Sequence, residues 1–209
     1  MLIGIIGLQG SGKSTVSEIF QRKYGCEIDS FAKPVKDIAH IIFGWDRNLL
    51  EGLTKESRDW RERVDLYWSE IMGKEFTPRM ALQMIGTDFG RNMIGDNVWV
   101  ESLKYRSRGK YVVISDVRYP NEAESIKKDG GFLIKIERGE NPEYLDRIKQ
   151  NGIKKMKDLE IFMKNNYPSI HSSDYNLCLI QPDYLIKNDS DLNNLERAVD
   201  SIVDSIIAQ

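Results

Sequence analysis

Cysteine is nearly missing from this 209-residue chain, which has only Cys26 and Cys178. The pair lacks metal-type spacing and is too small for a disulfide framework, so a stapled secreted scaffold is excluded and a reducing compartment is expected. Both read as small buried hydrophobes. No apolar run approaches the ~18 residues of a membrane span. No basic segment precedes the apolar start Met1-Leu2-Ile3-Gly4-Ile5-Ile6, so neither membrane nor leader is expected and the cytoplasm is the expected location. A surplus of positive charge is also missing: 30 Lys plus Arg face 32 Asp plus Glu, a net charge of −2. That balance excludes the footprint of a duplex-DNA binder, and any bound anion must be met by a local cluster. Internal repeats and low-complexity segments are absent.

What remains is an ordinary globular composition, 41% hydrophobic and 30% charged. At roughly 150 residues per domain, the length allows one large domain or one domain carrying an insertion, with a core that needs no disulfides.

Short β-branched runs alternate with helical patterns. Leu2 to Ile6, Cys26 to Asp29, Tyr111 to Asp116, Phe132 to Ile136 and Tyr184 to Ile186 read as strands, the first buried on both faces. Helices are expected over about Lys13 to Lys23, from Pro34 to Phe43, between Thr54 and Met72, and from Thr77-Pro78 to about Met93. Further helices are expected around Trp99 and Leu103, over Pro120 to Asp129, and along the stripe Leu192, Leu195, Val199, Ile202, Ile206. This alternation predicts a three-layer α/β/α fold with a mainly parallel five-stranded sheet. Residues 1–209 then form a single domain containing a helical region at 44–108. The stretch 139–175 breaks the alternation; its Lys-rich amphipathic segment around Met156, Leu159 and Met163 reads as a helical, lid-like insertion.

Gly7-Leu8-Gln9-Gly10-Ser11-Gly12-Lys13-Ser14 satisfies Gly-x-x-x-x-Gly-Lys-[Ser/Thr], the Walker A pattern, between a predicted strand and a predicted helix. The glycines let backbone N–H groups converge on a β-phosphate, and the helix aims its positive end at the same place. Lys13 adds a charge across the β/γ oxygens and Ser14 offers a hydroxyl to Mg²⁺. Asp116, at the end of an apolar strand, suits the same Mg²⁺ or the cap of the following helix.

A phosphate loop defines a nucleotide site without defining the reaction. A GTPase would need a guanine-reading Asn-Lys-x-Asp, which is absent, and an ATPase motor would come with a larger chain. A small-molecule kinase needs a second anion pocket and a lid. Like charges ~4 Å apart repel by about 4 kcal/mol at an effective dielectric of ~20, so an anionic acceptor beside ATP needs fixed cations. Candidates are Lys36, Arg79, Arg91, Arg118 and Arg138. Arg79 and Gln83 lie at i,i+4 on one helix, with Thr87 and Arg91 continuing near that face, although a solvated face has the same pattern. Arg118 and Arg138 follow predicted strands at the sheet edge where open α/β folds bind ligands.

Several segments together resemble the deoxynucleoside monophosphate kinases of tailed bacteriophages, a branch of the P-loop nucleoside monophosphate kinases. They are the loop; Phe31-Ala32-Lys33-Pro34-Val35-Lys36-Asp37; Arg79 with Leu82 to Asp88 and Gly90-Arg91; Trp99-Val100; Asp116 to Glu122; His171-Ser172-Ser173-Asp174; and Ile186 to Asp189. The resemblance implies Mg²⁺-dependent transfer of the ATP γ-phosphoryl group to a deoxynucleoside 5′-monophosphate (dNMP), giving the diphosphate and ADP for DNA precursor synthesis. It implies ATP contacts by Gly7, Gln9, Gly10, Ser11, Gly12, Lys13, Ser14, Thr15, Arg138 and Asn188, the last beside the adenine edge. Acceptor contacts would come from Lys36, Arg79, Gln83, Thr87, Asp88, Arg91 and Arg118, within 44–108 for the helical ones. Lys13, Arg118, Arg138 and Asp116 look catalytic, with Ser14 and Asp116 on the metal. His171 has no role that its residue type yields beyond a hydrogen-bonded structural one. A kinase of another phosphorylated metabolite or of a DNA base or end, and an ATP-hydrolysing regulator without an acceptor, are the alternative functions. The reading expects no nucleic-acid partner and leaves a homodimer open.

Overall fold

A strand covered on both faces must be apolar along its whole length, and β1 (Leu2–Ile6) is buried at every residue in the computed structural model, which describes residues 1–208. β3 (Val112–Val117) and β4 (Phe132–Glu137) flank it in parallel, with Ile3 opposite both Val113 and Phe132. β2 (Glu27–Asp29) extends the sheet beyond β3 and β5 (Tyr184–Lys187) beyond β4, so the order is β2-β3-β1-β4-β5 and every pairing is parallel.

α1 (Lys13–Tyr24) and α12 (Leu192–Ile207) cover one face. Val16, Ile19 and Phe20 of α1 and Leu195, Val199 and Ile202 of α12 form one cluster with Ile3, Ile5, Val113 and Ile134. Each such fully buried aliphatic side chain contributes about 1.5–3 kcal/mol. Gly4 points the other way, as the strand period requires, and meets Ile126 of α8 (Pro120–Lys128) on the opposite face. The expected P-loop kinase fold, three layers around a parallel sheet, is therefore what the chain adopts. Cys26 lies in the core cluster, and burial pushes the Cys178 thiol up to about 11; both behave as small hydrophobes.

Two compact units emerge: residues 1–29 with the chain from Ser107 onward, and Ser30–Arg106. The second begins earlier than the predicted helical region because α2 (Lys33–Phe43) belongs to it. It continues with α3 (Arg47–Glu51), α4 (Lys55–Arg61), α5 (Leu66–Met72), α6 (Pro78–Gln83), a π-helical segment (Met84–Ile94) and α7 (Val98–Arg106). Phe43 anchors it, stacked on Trp45 at 4.5 Å and edge-on to Trp68 at 4.9 Å.

Two expectations fail here. The single helix between Thr54 and Met72 is two, because Asp65 turns extended to cap α5 through Trp68 N and also accepts Trp45 Nε1. The resulting face leaves Val64, Tyr67 and Ile71 exposed. The helix opened by Thr77-Pro78 does run to Ile94, but from Met84 it winds as a π-helix. Its i→i+5 bonding ends the i,i+4 face projected from Arg79 through Thr87 to Arg91.

The insertion after β4 is helical as expected, with α9 (Glu143–Gln150), α10 (Met156–Asn166) and α11 (Ser172–Tyr175) followed by a 3₁₀ turn, Asn176–Leu179. It has its own core of Leu145, Ile148, Leu159, Met163 and Tyr175, against which Leu8 of the phosphate loop packs. Among the described residues no helix is long and apolar enough to cross a membrane.

Candidate active site

Between β1 and α1 the chain turns through Gly10 at φ 81° and Gly12 at φ 103°, conformations that an L side chain adopts only with strain. A Cβ at Gly12 would also run into Nδ2 of Asn188. Asn188 follows β5 directly, is only 8% exposed, and donates from that nitrogen to the Ser11 carbonyl at 2.8 Å. Its amide nitrogen thereby braces the loop. Gln9 and Gly10 are exposed at the tip, Gly7 and Thr15 half-buried, and Ser14 exposed in the first turn of α1. That turn carries no acidic residue, so the positive helix end is left for an anion.

Lys13 bends back over the loop and donates to the carbonyls of Gly7 at 2.9 Å and Leu8 at 2.7 Å. Its pKa is lowered to about 8: burial and the Arg118 charge push it down, and Asp116 and Asp174 oppose both. Four charges thus share one electrostatic neighbourhood at the mouth of the loop, two positive and two negative.

Arg118 stands one residue beyond β3. Its backbone N–H and that of Tyr119 donate to the Glu122 carboxylate at 2.8 and 3.1 Å. Glu122 is 3% exposed and, with Tyr119, caps α8. Asp116 is therefore not the cap of that helix. The Arg118 guanidinium donates through Nη1 to Asp174 Oδ1 at 3.0 Å and lies 3.4 Å from both the carbonyl and Oγ of Ser173. Asp174 sits on α11, whose cap is His171: its Nδ1 accepts from Ser173 N at 3.3 Å and lies 2.9 Å from Ser173 Oγ.

Arg138 is exposed just past β4. Beside it a cleft of about 350 Å³ opens at the C-terminal ends of β4 and β5, lined by Glu137, Gly139, Glu140, Asn141, Asp146, Lys187 and Asp189.

In the helical unit, Lys36 is paired to Glu51 at 2.5 Å, and Arg47 joins Glu51 to Asp37. Burial works to raise the Glu51 carboxyl, but Lys36 and Arg47 outweigh it and hold the pKa below its ordinary value. The Lys36 charge is thus neutralised within α2 and α3. Arg79 pairs with Glu62 at 3.3 Å. Arg91, its side chain only 11% exposed, reaches Asp96 at 3.2 Å. Gln83 and Thr87 are half-buried and Asp88 exposed. Trp99 organises the π-helical segment: its Nε1 donates to the Gly86 carbonyl at 2.8 Å, and its ring lies so close to Gly90 that no Cβ would fit there.

Of the residues expected at the site, the fold brings Lys13, Asp116 and Arg118 into one electrostatic neighbourhood. The sequence did not single out Asp174, Glu122 or Trp99, although each stands in a motif named above. Ser14 and Asp116 supply hydroxyl and carboxylate oxygens, the hard donor set that suits Mg²⁺, so the residues present fit that ion.

The family model for deoxynucleotide monophosphate kinase matches residues 60–172. A protein of Acanthamoeba polyphaga mimivirus, provisionally named a deoxynucleotide monophosphate kinase, is 31% identical over 181 residues, covering 79% of this chain and 89% of its own. The deoxynucleoside-5′-monophosphate kinase of Escherichia phage T5 is 26% identical over 185 residues, covering 61% of this chain and 72% of its own. Among solved structures, dephospho-CoA kinase from Campylobacter jejuni is similar at 18% identity with a TM-score of 0.45, over 98% of this chain and 96% of that one.

Proposed function

The chain belongs to the deoxynucleotide monophosphate kinase family, and from that premise we propose how its residues carry the reaction. ATP donates its γ-phosphoryl group to a deoxynucleoside 5′-monophosphate: an acceptor phosphate oxygen forms the new P–O bond, the β–γ bridge breaks, and ADP leaves. The acceptor oxygen is already anionic at neutral pH and the transition state is loose, so positioning and charge neutralisation carry catalysis without a strong general base.

The loop N–H groups and the α1 N-terminus hold the β-phosphate. Lys13 turns from the Gly7 and Leu8 carbonyls to the β/γ oxygens. Mg²⁺, which supplies further neutralisation of phosphate charge, would be held by Ser14 and Asp116. Arg118 takes the acceptor phosphate, while Arg79, Gln83, Thr87, Asp88 and Arg91 serve the rest of the acceptor. Arg138, rooted at the end of β4, and the 139–175 insertion form a lid that excludes water and suppresses hydrolysis. The cleft beyond β4 and β5 accommodates the ATP base, with Asn188 acting from beneath through the loop. A net charge of −2 favours a single nucleotide over a DNA chain as acceptor. The cytoplasm, where both nucleotides are found, is the expected place of action.

What supports these roles most is the cluster of Lys13, Asp116 and Arg118 at the loop. A coupled assay of ADP formation tests them. Added dNMP should stimulate wild-type turnover strongly, and Lys13→Ala should remain folded and nearly inactive. ATP hydrolysis indifferent to dNMP, or an active Lys13→Ala protein, would refute the assignment.

A further inference from the structure

We propose that Asp174 is a positioning residue for Arg118: it holds one edge of the guanidinium so that the other is presented, already oriented, to the acceptor phosphate. The inference rests on the role given to Arg118 above.

Arg118 is anchored at both ends. The buried Glu122 carboxylate takes the N–H groups of residues 118 and 119 and sets the direction in which the side chain leaves the backbone. Asp174 then takes Nη1 alone. Among the described residues Nε and Nη2 have no protein partner, so the remaining donors of the fork are free for a planar or tetrahedral oxyanion.

Stability does not explain the pair. Both side chains are 40% exposed, and a single exposed contact of this kind adds little to folding. Its effect is local. Asp174 Oδ1 holds Arg118 Nη1 at 3.0 Å, and that contact keeps the guanidinium at the loop before substrate arrives. Removing it frees Arg118 to swing away from Lys13.

The carboxylate is itself fixed. His171 caps α11 through Ser173 N, and Tyr119 Oη lies 3.3 Å from Ser172 Oγ, tying the helix back to the Arg118 turn. The motif His171-Ser172-Ser173-Asp174 thereby gains a role: His171 and Ser173 set the position of Asp174, and Asp174 sets that of Arg118.

Steady-state kinetics and melting temperatures of wild type, Asp174→Ala, Arg118→Ala and the double variant test this, with Asp174→Glu and Asp174→Asn as controls that keep a polar group in place. Ordering one long side chain on binding corresponds to roughly tenfold, so Asp174→Ala should lower kcat/KM for dNMP by about that factor while the ATP KM moves less than about twofold. In the Arg118→Ala background the same change should cost nothing further. Asp174→Glu should recover much of the loss, and Asp174→Asn should fall between. An undiminished dNMP kcat/KM in Asp174→Ala overturns the proposal, and so does an equal loss in the Arg118→Ala background. If Arg118→Ala is itself fully active, it is the assigned role of Arg118 that fails.

Discussion

The ammonium of Lys13 is 2.7 Å from the carbonyl oxygen of Leu8, so the loop satisfies its own cation. That cation is half-discharged near pH 8 because burial and Arg118 disfavour its charge.

ATP affinity should consequently depend on pH with a defined sign. Phosphate oxygens raise the Lys13 pKa above its free value of about 8, so binding at higher pH takes up a proton. Affinity should be greatest below pH 8 and weaken as the pH rises through it, by at most about tenfold per pH unit. Calorimetric titrations between about pH 7 and about pH 9.5, in buffers of different ionisation enthalpy, measure both affinity and proton uptake. In Lys13→Met the uptake should vanish.

Asn188→Asp should be more harmful than its size suggests. It exchanges the donor facing the Ser11 carbonyl for a second acceptor in a buried place, at a cost of about 1–3 kcal/mol. Urea denaturation should show that loss, and ATP KM should rise because the loop loses its brace.

Gly90→Ala tests the packing under the π-helical segment. The added methyl must displace the Trp99 ring, and overpacking of this kind costs about 1–3 kcal/mol. Trp99→Phe removes the donor to Gly86, about 1 kcal/mol, and also part of a buried ring, which adds a cavity cost. Thermal unfolding should show both variants destabilised, and where both remain folded the dNMP KM should rise while the ATP KM holds.

Glu122→Ala leaves the N–H groups of Arg118 and Tyr119 without their buried acceptor, a loss of about 2–4 kcal/mol. Glu122→Gln retains one accepting oxygen and should lose less. Chemical denaturation gives the stabilities, and kcat/KM for dNMP should follow the same order.

How much was legible differs from element to element. The strand Leu2–Ile6 is apolar at every position and the glycine pattern that follows has one structural use, so β1, the loop and Lys13 could be read directly. Arg118 could be placed at the end of a strand because β3 opens on the apolar run Val112-Val113-Ile114 and closes at Val117. The break within 54–72 was not legible: Arg58, Asp59 and their neighbours fit a continuous helix, and only the competing bonds of Asp65 to Trp68 N and Trp45 Nε1 end it. The π winding from Met84 escaped for a similar reason, since it coincides with Trp99 bonding the Gly86 carbonyl from outside the helix.

By itself, then, the sequence determined the parallel sheet and the phosphate loop, because these follow from local spacing and from periodicity along one strand or helix. Only the tertiary structure decided that Lys36 is spent on Glu51, that Asn188 braces the loop from 177 residues away, and that Asp174 holds Arg118 from 56 residues away. Hydrogen bonds and ion pairs act over a few ångströms in space, and chain separation carries no record of which distant partner the fold will bring within that reach.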